Sequence, residues 1–184
     1  MKKVLLIGTL MVGSFLAKAQ DGDRQNAIKI NPLSLAFATG NVSYERAVNK
    51  NQSFQLGTFF SGFKLSGLKY SGWGITPEYR IFVAAQDRSL DGIYVAPYLR
   101  YQNFKLKQTD EELGNNSTTL STIGGGAVIG WQNVSKGGFV INLFAGPGYS
   151  SAKFKNDTDE DEFDVKGGIS GFSVRTGITL GFAF

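Results

Sequence analysis

The 184-residue sequence predicts an all-β fold: an eight-stranded antiparallel up-and-down transmembrane β-barrel. Three observations carry that expectation. Hydrophobicity repeats with period two, not 3.6, along almost the whole chain. One face of each alternating run holds large apolar side chains, and the other holds Gly, Ser, Thr and a few charges. The chain also opens with a secretory leader, after which no apolar run is long enough for a membrane-spanning helix.

The leader comes first in the chain. Lys2 and Lys3 precede an apolar core from Val4 to Leu16, and Ala17-Lys18-Ala19 places small residues before Gln20. The pattern predicts a signal peptide over residues 1–19 and a barrel domain over 20–184. Removing Lys2, Lys3 and Lys18 takes 19 basic residues to 16 against 15 acidic ones, so the net charge falls from +4 to +1. The basic balance belongs to the leader and gives no reason to expect a nucleic-acid partner.

Strands are predicted near 27–37, 40–48, 52–64, 69–83, 91–107, 117–133, 138–154 and 164–184. The first changes phase at Asn31-Pro32, which reads as a bulge or edge irregularity. The second and third alternate weakly. In the fourth, Trp73, Ile75, Pro77, Tyr79, Ile81 and Val83 oppose Gly72, Gly74, Thr76, Glu78, Arg80 and Phe82. In the fifth, Ile93, Val95, Pro97, Leu99 and Tyr101 oppose Tyr94, Ala96, Tyr98, Arg100 and Gln102. The sixth sets Ile123, Ala127, Ile129 and Trp131 against Thr122, Gly124, Gly126, Gly130 and Gln132. The seventh sets Phe139, Ile141, Leu143 and Tyr149 against Val140, Asn142, Phe144, Gly146 and Gly148. The last is the clearest: Phe172, Val174, Thr176, Ile178, Leu180, Phe182 and Phe184, all apolar but Thr176, alternate with Gly171, Ser173, Arg175, Gly177, Thr179, Gly181 and Ala183.

The orientation of the two faces decides the environment. A soluble periplasmic carrier needs its large apolar groups inside. Here the opposite face is glycine-rich, and glycines supply space, not a core. In lipid the reverse orientation is reasonable, with an apolar outer band, a small polar interior and every backbone group satisfied by closure. Mid-strand charges avoid the apolar face, with Arg46 near a strand end as the exception. Connections 49–51, 84–90 and 134–137 lie at one end, and the longer or more charged 108–116 and 155–163 lie at the other. That asymmetry places both termini in the periplasm. Trp73, Tyr101, Trp131 and Tyr149 are candidates for the aromatic girdles.

The alternating end at Leu180, Phe182 and Phe184 resembles the C-terminal signature of Gram-negative outer-membrane barrels, which implies recognition by the barrel-insertion machinery. The stretches INPLSLAFATGNVSYERAVN (30–49), GWGITPEYRIFV (72–83) and YVAPYLRY (94–101) resemble a domain-of-unknown-function family of small secreted outer-membrane barrels. The resemblance spans most of the mature chain and implies location in the bacterial outer membrane, with that lipid and lipopolysaccharide as surroundings. It implies no chemistry.

The residues themselves point the same way. With no Cys and no His, thiol chemistry, His/Cys zinc sites and Ser–His nucleophiles are excluded. Parity puts Glu45, Glu78, Arg80, Arg100 and Arg175 on the interior face, where opposite charges should pair as a structural plug or as a gate. A barrel of eight strands is only wide enough to be filled by its own side chains, which favours the plug. The loop 156–164 carries Asp157, Asp159 and Asp161 in a spacing that echoes half a calcium loop, but Glu162 stands where the turn glycine belongs. It reads as a solvated acidic loop. Gly124-Gly125-Gly126 lacks a following helix and reads as a bend or close approach, not a phosphate cradle. Lys105 and Lys107, near Tyr101 and Phe104, read as a strand rising past a membrane surface.

No catalytic, metal or cofactor site is expected. The sequence points to a non-enzymatic envelope protein with a structural role or with binding through loops 108–116 and 155–163. A minor passive channel, a soluble carrier and a lipid-modifying enzyme are the alternatives.

Overall fold

The computed structural model describes residues 24–65, 68–85, 88–108, 117–156, 163–164 and 170–184. The expected leader and most of the acidic loop, residues 157–162, lie outside these. The elements are β1 (Asn26–Ile30), α1 (Pro32–Leu35), β2 (Thr39–Asn49), β3 (Gln52–Leu65), β4 (Leu68–Ala85), β5 (Gly92–Gln108), β6 (Ser117–Val134), β7 (Phe139–Asn156), β8 (Phe163–Asp164) and β9 (Gly171–Ala183).

Each long strand pairs antiparallel with its neighbour from β1 through β7, and β9 joins β7 to β1. The result is a closed eight-stranded barrel. Closure is pinned where the termini meet: Asn26 and Phe184 exchange backbone hydrogen bonds of 3.0 and 2.8 Å. Short turns and the termini occupy one end. At the other end lie α1, the facing ends of β3 and β4 at Leu65 and Leu68, and the ends of β5, β6 and β7 at Gln108, Ser117 and Asn156. No helix of the described residues is long and apolar enough to cross a membrane, and a barrel crosses with strands.

Two expected strands are corrected. The first ends at Ile30, and Asn31-Pro32 is the start of a single helical turn, not a bulge. The Asn31 side chain accepts from the amides of Leu33 and Ser34 at 3.0 and 3.3 Å. Pro32 sits at the first helical position, where its missing N–H costs nothing. The last barrel strand begins at Gly171, not 164. Gly171 has φ +139°, which interrupts the run. The two-residue β8 pairs with the far end of β7, opposite Lys153 and Phe154, so β7 changes partner above Ser150.

The faces point as the alternation demands for lipid. Phe172, Leu99 and Ile123 are 76%, 67% and 65% exposed, whereas Glu45 and Arg80 are fully buried. The apolar lining that a soluble carrier would need inside is on the outside. At the short-turn end the Tyr44 hydroxyl donates to Asn26 and that of Tyr79 to Gln52, at 2.7 and 2.9 Å. With Trp131 they form a belt whose polar tips reach the barrel rim. Nearer the long-loop end, Trp73 and Tyr101 pack with ring centroids 5.6 Å apart.

Aromatic rings occupy much of the interior. Tyr94 packs on Phe82 at 5.5 Å, and Phe59, Phe104, Tyr70 and Phe63 stack in sequence toward the long-loop end. Glycine on the facing strands makes room for these rings. A Cβ on Gly130 would fall 2.6 Å from Cε1 of Tyr94, whose hydroxyl donates to Asn142 at 2.9 Å. Gly124 is a close approach of the kind expected, since its Cβ would meet the Tyr149 carbonyl oxygen at 2.6 Å. Gly130→Ala is expected to displace the Tyr94 ring and cost about 1–3 kcal/mol, the usual range for overpacking. Urea unfolding in vesicles, read by the fluorescence of neighbouring Trp131, checks it. An unchanged midpoint would contradict the fit.

Candidate functional site

The polar face of five strands converges in the half of the lumen nearest the short turns. Glu45 on β2 is the acidic centre. Lys29 on β1 forms an ion pair with its Oε2, Arg80 Nη1 lies 3.2 Å from the same oxygen, and Ser53 donates to Oε1. Glu78, two residues from Arg80 on β4, accepts from Arg80 Nε at 2.7 Å and from Arg175 Nη1 of β9 at 2.6 Å. The order Lys29–Glu45–Arg80–Glu78–Arg175 therefore alternates in charge across the barrel. Parity alone puts these groups inside, and the registers Ala27↔Glu45, Ser53↔Arg80 and Gln55↔Glu78 bring them to neighbouring levels.

Neutral groups complete the cluster. Gln132 on β6 accepts from Lys29 at 2.7 Å and from Arg80 at 3.0 Å, and donates to Glu45 at 3.0 Å and to the Leu90 carbonyl at 2.8 Å. Arg80 lies over Tyr94 at 4.4 Å, and Arg175 lies between Tyr98 and Phe144 at 4.6 and 4.5 Å. Below the cluster, Leu90 is inserted with Ala27, Val134, Val140 and Ala183 into an apolar seal at the short-turn mouth. Leu90 adopts φ +64°, a strained conformation for a leucine that is held by this burial and by the bond to Gln132.

Of the five residues predicted for the lumenal network, Glu45, Glu78, Arg80 and Arg175 are linked by ion pairs. Arg100 is not. Its Nε donates to Thr76 at 3.3 Å, and it lines a cavity of about 160 Å³ that borders the network at Arg175 and includes Tyr98, Gln102, Thr122 and Ser150. Lys29 and Gln132 are the members that sequence reasoning missed. The signal for Lys29 was present, since Ala27 and Lys29 alternate with Ile28 and Ile30, but it was obscured by the phase change at Asn31-Pro32. Leu90 gave no signal, because a connection of that length does not reveal that it folds back over a mouth.

Chemically the arrangement is a lock. The two carboxylates are each held by two cations. Counting Arg100, the lumen holds four cations against two carboxylates among the described residues, so its field favours anions. The seal and the network lie one above the other at the short-turn end.

Residues 5–167 match the family described as "Protein of unknown function (DUF3575)". No curated protein matches the chain. Among solved structures, the chain is similar to the N-terminal β-barrel domain of Pseudomonas aeruginosa OprF at 11% identity. That likeness has a TM-score of 0.43 and covers 89% of this chain and 100% of the other.

Proposed function

We propose that this chain, which belongs to the DUF3575 family of proteins of unknown function, is a non-enzymatic β-barrel of the bacterial outer membrane. Its role is structural or lies in binding through its long loops. Its leader directs export, its C-terminal strand engages the barrel-insertion machinery, and lipid and lipopolysaccharide surround it. The single observation that carries this reading is the inversion of faces. Residues such as Leu99, Ile123 and Phe172 cover the outside, and a buried network of ions lies at the centre. A hydrocarbon surrounding makes that arrangement favourable.

The membrane reading is tested by extraction and gel mobility. The chain is expected to stay with membranes through carbonate washing and to migrate differently before and after heating. Release into the aqueous fraction with unchanged mobility would refute it. The plug reading is tested in planar bilayers. The native protein is expected to be silent, and any leak from a variant opened at Leu90 is expected to favour anions, given the lumenal excess of cations. A steady cation-selective conductance from the native protein would overturn the plug.

A further inference from the structure

The outward surface of β3, β4 and β5 changes chemistry level by level toward the long-loop end. Ile75 stands opposite Tyr101, then Trp73 opposite Asn103, then Ser71 opposite Lys105. At the last of these levels Lys69 stands opposite Lys107 on one side and Lys64 on the other. Parity puts all three lysines on the outward face, and all three are exposed.

This row conflicts with the local rule for sheets. Side chains directly opposite one another have Cβ atoms about 4.5–5.5 Å apart, and like charges there are destabilising. Here three cations stand in direct succession. Solubility does not require lysine at these positions, because Ser71, Thr119 and Ser121 serve on the same face at nearby levels. A row kept against its own repulsion calls for an anion. Its height says which. Lys69 lies four residues beyond Trp73, roughly 13 Å along a strand, and Trp marks the headgroup interface of a membrane.

We propose that Lys64, Lys69 and Lys107 form a binding site for the phosphate groups of an anionic glycolipid in the outer leaflet. The inference rests on the outer-membrane reading above. Compact ammonium groups on flexible stems suit phosphates as point charges and need no fixed pocket.

The test uses the full chain folded into zwitterionic phosphatidylcholine vesicles, with bis-phosphorylated lipid A or its dephosphorylated form as probe. The native protein is expected to retain the phosphorylated lipid preferentially. The K64Q/K69Q/K107Q variant is expected to bind it roughly 100-fold more weakly, on the scale of lysine attraction to anionic headgroups. Equal binding of both lipid forms, or an unchanged variant, would overturn the site. So would displacement of lipid A by equimolar inorganic phosphate, which would mark a generic anion site.

Stability supplies a second readout with a sign. Lys69→Gln alone is expected to raise the unfolding midpoint in vesicles without lipid A and to lower it in vesicles containing it. A lower midpoint in both would mean that carboxylates of the chain already neutralise the row, and would refute the proposal. Failure of the native chain to insert would sink the outer-membrane reading itself. Insertion without phosphate discrimination would sink only this inference.

Discussion

Glu45→Ala is expected to destabilise the barrel by about 3–5 kcal/mol, the cost of leaving buried charge without its partner. The carboxylate holds Lys29 and Arg80 at once and accepts from Ser53 and Gln132, all within the fully buried part of the lumen. Its removal leaves the Lys29 ammonium with Gln132 as its remaining partner. Arg80 still has Glu78. A paired change, K29M/E45L, should therefore recover most of the loss, because it removes the stranded cation together with the anion and fills the space with apolar volume. Equilibrium unfolding in vesicles measures both. If the single variant unfolds at the native midpoint, the network does not hold the barrel together. If the double variant is no better than the single, the cost lies in packing and not in charge.

Leu99→Arg is the second large effect, with an expected loss of about 2–4 kcal/mol in a bilayer. Leu99 is 67% exposed near the middle of β5, so the change breaks no buried contact. Its cost comes entirely from the surrounding hydrocarbon. Val48→Arg is the depth control. Val48 is 62% exposed but lies next to the turn after β2, where the expected cost is about 0–1 kcal/mol. A barrel with its outer face in water would tolerate both changes equally, since exposed substitutions there stay within about 0.5 kcal/mol. The difference between the two sites therefore measures the membrane itself.

Much of the fold was legible because a strand in lipid obeys a strong rule. Each residue faces either hydrocarbon or a narrow polar lumen, and the two faces tolerate different side chains. The runs 92–102 and 171–184 follow that rule almost without exception, so both their strand character and their orientation could be read from order alone. Asn31-Pro32 was misread because a phase change has two sources, an extra residue in a strand or a departure from the sheet. Only the capping bonds from Asn31 separate them. The start of the last barrel strand was misread for a similar reason. A strand pairing with β7 runs up to Asp164, but a different one begins at Gly171.

The candidate site was legible by face and not by contact. Parity assigns Glu45, Glu78, Arg80, Arg100 and Arg175 to the interior. It cannot say that Glu45 bridges Lys29 and Arg80 while Arg100 is left to Thr76 and a cavity. That selection depends on register and on strand stagger around the closed sheet. A shift of two residues preserves every face and changes every neighbour.

By itself, then, the sequence determined which side of each strand faces outward and which charges are kept from that side, because alternation is a local property of a strand. The tertiary structure alone decided which lumenal charges pair, that Leu90 closes one mouth, and that Lys64, Lys69 and Lys107 share one level. Those facts arise from contacts between distant strands, and the energies involved become favourable only once closure brings the groups within a few ångströms of one another.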